Sequence, residues 1–108
     1  IKTAIVSAGS KNRILSTLPS SFLRLFDCII TGNDCKFGKP HPEPYLKALS
    51  KCKLSYENCC ALENAPLGIE SALKANLFTI AITNTLKKNI LSKANKIISD
   101  IVELKELC

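Results

Sequence analysis

Long apolar runs are missing from this chain. Its apolar stretches, such as Cys28-Ile29-Ile30 and Leu77-Phe78, are only a few residues long, far short of the ~20 needed to cross a bilayer, so no membrane contact is expected. The segment Ile1-Lys2-Thr3-Ala4-Ile5-Val6 lacks the charged, apolar and cleavage regions of a signal peptide and reads directly as structure. No C-x-x-C pair occurs among the 6 cysteines, and the single His is too little to complete a zinc site with them. A reduced, cytoplasmic protein is expected, with Cys28, Cys59 and Cys60 as small core residues inside apolar runs. Aromatic residues are scarce, at 6%, and their positions suit a core. Nucleic acid, which calls for a basic stripe interleaved with exposed aromatics, is therefore not an expected partner. No G-x-G-x-x-G follows any apolar run, which argues against dinucleotide binding. Internal repeats, low-complexity tracts and linkers are also absent.

What remains is the composition of one globular domain: 108 residues, 46% hydrophobic and 22% charged. The net charge of +6 comes mostly from scattered Lys. It reads as a solvated surface that can steer phosphate-bearing ligands by long-range attraction.

Thr3–Val6 reads as a strand running into the turn Ser7-Ala8-Gly9-Ser10, after which Ile14, Leu15 and Leu18 recur at helical spacing. Pro19 interrupts that helix, and Phe22, Leu23, Leu25 and Phe26 form a second apolar patch. Cys28–Ile30 is a second strand, and Cys35 to Pro44 is loop, because Gly38, Pro40, Pro42 and Pro44 forbid a ladder. Tyr45, Leu46, Leu49 and Cys52 mark an amphipathic helix. Cys59–Leu62 is a third strand; Asn64 or Ala65 caps the helix that follows, with Pro66 in its first turn and Asn76 as a left-handed stop. Phe78–Ile82 is a fourth strand, Leu86, Ile90 and Leu91 suggest a short helix, and Lys96–Ile98 a small edge strand. Ile101, Leu104 and Leu107 align on a terminal helix capped by Asp100. Near-continuously apolar strands alternating with helices predict an α/β fold, a Rossmann-like, doubly wound parallel sheet.

In such a sheet ligands bind beyond the carboxyl ends of the strands, so the turns there hold the candidate chemistry. Ser7-Ala8-Gly9-Ser10 offers small residues, a hydroxyl and a helix start to an anion; taken alone it reads more simply as a Ser-capped turn. Lys39, between Gly38 and Pro40, is an ammonium on a stiff backbone, suited to a phosphate. His41, flanked by prolines with no identifiable carboxylate to orient it, reads as a solvent-facing loop residue. Glu63 and Asn64 place two hard oxygen donors at a strand end, where they serve Mg²⁺ or merely end a strand and cap a helix.

Taken in order, Val6-Ser7-Ala8-Gly9-Ser10, Gly38-Lys39-Pro40-His41-Pro42-Glu43-Pro44-Tyr45 and Leu62-Glu63-Asn64-Ala65-Pro66-Leu67-Gly68 closely resemble the haloacid dehalogenase-like superfamily. The resemblance is nearest its phosphatase and β-phosphoglucomutase-like branch and covers essentially the whole chain. It implies that Ser7, with the Ala8 and Gly9 backbone, binds a transferring phosphoryl group, and that Lys39 neutralises it as a catalytic residue. It also implies that Glu63 and Asn64 hold Mg²⁺. Asn64 departs from the family's acidic pair by losing a charge.

The family's D-x-D motif, which supplies nucleophile and acid/base, is absent here: Asp27, Asp34 and Asp100 are the only aspartates. The cap domain usually inserted after that motif is missing too. Together with the lack of an initial Met, this predicts that residues 1–108 are the C-terminal portion of the core domain of a longer hydrolase, without its central first strand. The implied activity is Mg²⁺-dependent transfer from a small phosphorylated metabolite through an aspartyl-phosphate in the full-length parent, this chain being inactive alone. The absent N-terminal segment is then a natural partner. The competing expectation is a non-catalytic binding or assembly module on the same fold.

Overall fold

The computed structural model describes residues 1–83 and 91–106. Strand β1 (Ala4–Val6) leads into α1 (Lys11–Thr17) and the single-turn α2 (Ser20–Leu23), and β2 (Cys28–Ile30) returns parallel to β1 with Ile5 opposite Ile29. A 3-10 turn at Gly32–Asp34 and the Pro-rich loop precede α3 (Glu43–Cys52). Then come β3 (Cys60–Glu63), α4 (Pro66–Lys74), β4 (Phe78–Ile82) and β5 (Lys96–Ile98). These three strands form a second parallel sheet in the order β3-β4-β5, with Leu62 opposite Ile80 and Ala81 opposite Ile97.

The expected doubly wound sheet is thus present as two parallel pieces, β1-β2 and β3-β4-β5. Among the described residues nothing pairs with the second edge of β1 or of β3. Helix α3 packs against β1, β2 and α4, and so spans the join. Tyr45 of α3, Ala61 of β3 and Ala72, Ala75 and Leu77 of the α4 unit make one core cluster, onto which Val6 of β1 packs. Ile69, Ala81 and Leu91 make a second.

Local signals set most boundaries. Helix α3 starts at Glu43, two residues earlier than the apolar spacing suggests, because Pro44 sits in the first turn where a missing N–H costs nothing. It ends on Lys53 at φ 57°. Pro66 opens α4 behind Ala65, whose side chain makes no cap bond, and Asn76 takes the expected left-handed stop at φ 64°. The terminal segment differs from expectation: Ile101–Glu106 is a 3-10 helix with Ile101 and Val102 exposed. Asp100 does cap it, its carboxylate accepting from Val102 N at 2.9 Å. The helix expected around Leu86 and Ile90 and the position of Leu107 lie outside the described residues.

Two expectations about the core are corrected. Cys28 is buried, but Cys59 is only half-buried and Cys60 is exposed. Strand β3 alternates, with Ala61 and Glu63 inward and Cys60 and Leu62 on a face left open. Phe78, paired in register with Cys60, lies exposed on that same face. The aromatics, too, are mostly outside: only Tyr45 is buried, while Phe22, Phe37, Tyr56 and Phe78 are exposed. They pair locally instead, Phe22 edge-on to Phe26 at 5.2 Å and Phe37 against the His41 ring at 5.0 Å.

Candidate functional site

The loop after β1 is held from below by the loop after β2. Ser7 N donates to Ile30 O at 2.9 Å, continuing the ladder past the strand end. The Ser7 hydroxyl accepts from Gly9 N at 3.0 Å, a side-chain turn, and Ser10 caps α1 by accepting from Arg13 N at 3.2 Å. Gly32 N donates to Gly9 O at 2.8 Å, and Asn33 Oδ1 accepts from Lys11 N at 2.7 Å. A Cβ on Gly32 would stand 2.7 Å from Ala8 O, so only glycine lets these loops touch.

The Gly38-Lys39-Pro40 turn is equally tied down. Phe37 N donates to Glu43 Oε2 at 3.1 Å, and this backbone bond is the chief reason the Glu43 carboxyl is held below its ordinary range. The Lys39–Pro40 peptide is cis, His41 N donates to Gly38 O at 3.0 Å, and Ser71 of α4 donates to His41 O at 2.6 Å. His41 is exposed, as expected, with its Nδ1 accepting from Glu43 N at 3.0 Å.

From this frame Lys39 reaches across the join. Its ammonium donates to Val6 O, the last carbonyl of β1, at 3.0 Å and to Glu63 Oε1, at the end of β3, at 2.5 Å. Tyr45 Oη donates to the same Glu63 oxygen, and the Lys39 ammonium lies 5.3 Å from the Tyr45 ring centre. The group is largely dry: side-chain exposure is 14% for Lys39 and 7% for Glu63, and Tyr45 is 7% exposed. Burial first, and the facing Glu63 charge second, push the Tyr45 hydroxyl far above its ordinary range. The Glu63 carboxylate fills the space a side chain at Gly68 would need, since a Cβ there would fall 2.1 Å from Oε2.

Lys39 and Glu63, expected to play separate roles, are therefore one ion pair. Ser7, Ala8 and Gly9 form the loop just past Val6, and Asn64 is exposed one residue beyond β3. The donor set fits Mg²⁺ in kind, a carboxylate and an amide oxygen, and supplies part of the six-fold shell that ion takes. Among the described residues no group of three His, Cys, Asp or Glu side chains is placed to hold a metal ion. Tyr45, Gly32, Asn33 and Gly68 complete the site without having been singled out from sequence. Only the closeness of Tyr45 to the Gly-Lys-Pro turn, and of Gly68 to Glu63, could have flagged the first and last.

A lysine at the carboxyl ends of two parallel strands, beside a hydroxyl-bearing turn and a buried carboxylate, stands in this α/β protein at the position where such sheets take their ligands. The profile of the haloacid dehalogenase-like hydrolases matches residues 1–82, and the chain belongs to that family. It is 30% identical over 106 residues to validoxylamine A 7'-phosphate phosphatase of Streptomyces hygroscopicus, covering 97% of this chain and 50% of that one. Glycerol-1-phosphate phosphohydrolase 2 of Saccharomyces cerevisiae is 30% identical over 99 residues, 85% of this chain and 40% of its own. The crystal structure of β-phosphoglucomutase from Clostridium difficile superposes with TM-score 0.76 at 28% identity, over 98% of this chain and 48% of that one. The chain thus spans half or less of each of these three relatives. No described helix is long and apolar enough to cross a membrane.

Proposed function

We propose that this chain is the phosphate- and cation-binding half of a phosphoryl-transfer site acting on a small phosphorylated metabolite. The observation that carries the reading is the Lys39 bridge from Val6 O to Glu63, which sets one ammonium between two strands whose facing edges have no neighbour among the described residues. In this reading a parallel strand bearing D-x-D seats between β1 and β3. Its first aspartate attacks phosphorus and expels the metabolite's alkoxide, which leaves as the alcohol after taking a proton from the second aspartate. Water then hydrolyses the acyl phosphate. Lys39 holds the non-bridging oxygens as charge builds, and the Ser7 hydroxyl with the Ala8 and Gly9 backbone donates to them. Glu63 and Asn64 hold Mg²⁺, which supplies further positive charge to the phosphate when bound. The phosphate esters in the names of the relatives support the substrate class.

The test is a thermal shift of the chain with Mg²⁺ and orthovanadate, for wild type and Lys39→Ala, each against its own ligand-free Tm. A rise in wild type that Lys39→Ala abolishes is expected. No rise, or an equal rise in both, would overturn the assignment. That outcome would favour the second reading, a non-catalytic module, to which the uncharged, exposed Asn64 and the prior engagement of Glu63 by Lys39 and Tyr45 lend support.

A further inference from the structure

Two buried thiols lie apart from this site. Cys28, on β2, and Cys52, the last residue of α3, are 24 positions apart in sequence, yet their sulfurs are 2.9 Å apart. Both are buried, and Cys28 Sγ otherwise faces Ala48 O at 4.0 Å. A disulfide needs the sulfurs at ~2.05 Å, so bond formation asks for a movement of roughly 1 Å between elements that already pack on each other.

We propose that Cys28 and Cys52 are a reversible disulfide modification site, oxidised by a small disulfide of the glutathione type. One protein thiolate attacks the small disulfide, forming a mixed disulfide and releasing one small thiolate. The second protein sulfur, deprotonated in turn, attacks the protein-bound sulfur and releases the other. The two small thiolates take up the two protons that the protein thiols lose, so one dithiol is oxidised and one disulfide reduced. Burial, aided by the facing Cys52 thiol, pushes Cys28 up to about 11, which keeps Cys28 a thiol at neutral pH and makes its exchange faster in mild base. Cys52 closes the last turn of α3, and helix ends open most readily, which gives the reagent its path. The ring closed by the bond, residues 28–52, contains both the Gly32 turn that supports Ala8 and the Gly38-Lys39-Pro40 turn. Oxidation therefore staples the helix carrying Tyr45 to the strand that leads into the Gly32 turn, on which Ala8 rests.

The experiment treats the folded chain with oxidised glutathione at mildly alkaline pH, then maps peptides under non-reducing conditions and measures Tm. Expected are a protein lighter by two hydrogens, a Cys28–Cys52 linked peptide, and a Tm higher on the order of 10 °C that dithiothreitol reverses. Cys52→Ala should lose the Tm increment, and Cys35→Ser should keep it. Cys28 and Cys52 recovered as thiols or as stable glutathione adducts would overturn the proposal. So would Cys52 linked to its half-buried neighbour Cys59, or a cross-link that lowers Tm. The peptide map needs no substitution, so it decides even where Cys52→Ala does not fold.

Discussion

Lys39 and Glu63, 24 residues apart in sequence, meet at 2.5 Å where the ends of β1 and β3 converge. The pair is structural before it is chemical. Removing the ammonium leaves a buried carboxylate with only the Tyr45 hydroxyl as partner, and breaking such a pair costs about 3 kcal/mol. Urea denaturation of Lys39→Ala should register that loss. Adding Glu63→Gln to Lys39→Ala should recover part of it, because the neutral amide has no uncompensated charge. Equal losses in Lys39→Ala and the double variant would mean that the carboxylate left behind carries no penalty of its own.

The same carboxylate governs Tyr45. Its hydroxyl is raised above the ordinary 10.0 by burial and then by Glu63. A group whose folded pKa exceeds its unfolded value stabilises below the unfolded value and loses that contribution as pH rises past it. Stability should therefore fall from about pH 10 upward. Tyr45→Phe should be less stable at neutral pH and should lack this part of the alkaline decline. The tyrosinate absorbance that Tyr45→Phe removes should appear in wild type only as the chain unfolds. Its appearance in the folded protein would contradict the buried geometry.

What the sequence revealed follows from how local each signal is. The strand-turn-helix units, the Gly-Lys-Pro turn and the strand end at Glu63 are short-range patterns, and each lies where its pattern suggests. The partnership inside the site is not local: Glu63 is bonded to residues 24 and 18 positions away. Tyr45 reads from sequence as one more apolar position of α3, and its hydroxyl gains meaning only once β3 is beside it. Cys60 and Phe78 failed as core residues for a related reason. An apolar run registers residue type, while burial depends on whether an opposite layer exists, and that face of β3 and β4 has none among the described residues.

Gly32 and Gly38 differ in what surrounds them, although both stand in loops at the site. A Cβ at Gly32 would meet a backbone oxygen at 2.7 Å, whereas at Gly38 nothing lies within 4 Å. Gly32→Ala must separate the β2 loop from Ala8 and should cost about 1–3 kcal/mol, as overpacking does. Gly38→Ala should be neutral or slightly stabilising, by about 0.4–1 kcal/mol, through the unfolded chain. Paired thermal melts check the order, and amide chemical shifts at Ala8 and Gly9 should move only in Gly32→Ala. The opposite order would remove Gly32 from support of the Ser7-Ala8-Gly9 loop.

Asn64 sets the charge available to a cation at the end of β3. Glu63 is held by Lys39 and Tyr45, so a metal arriving there draws on a carboxylate already shared and on a neutral amide. Cation affinity for oxygen sites rises with the number of ligand charges. Asn64→Asp adds one beside Glu63 in an exposed position, where solvent limits the repulsion between the carboxylates and the chain's net charge of +6 offsets it. The Mg²⁺ concentration that half-saturates the rise in Tm should therefore fall, by roughly tenfold, in Asn64→Asp. Glu63→Gln in the same background should return it toward the wild-type value. A Mg²⁺ titration that Asn64→Asp leaves unchanged would place the cation away from the end of β3 and leave Lys39 as the sole charge there for a phosphate.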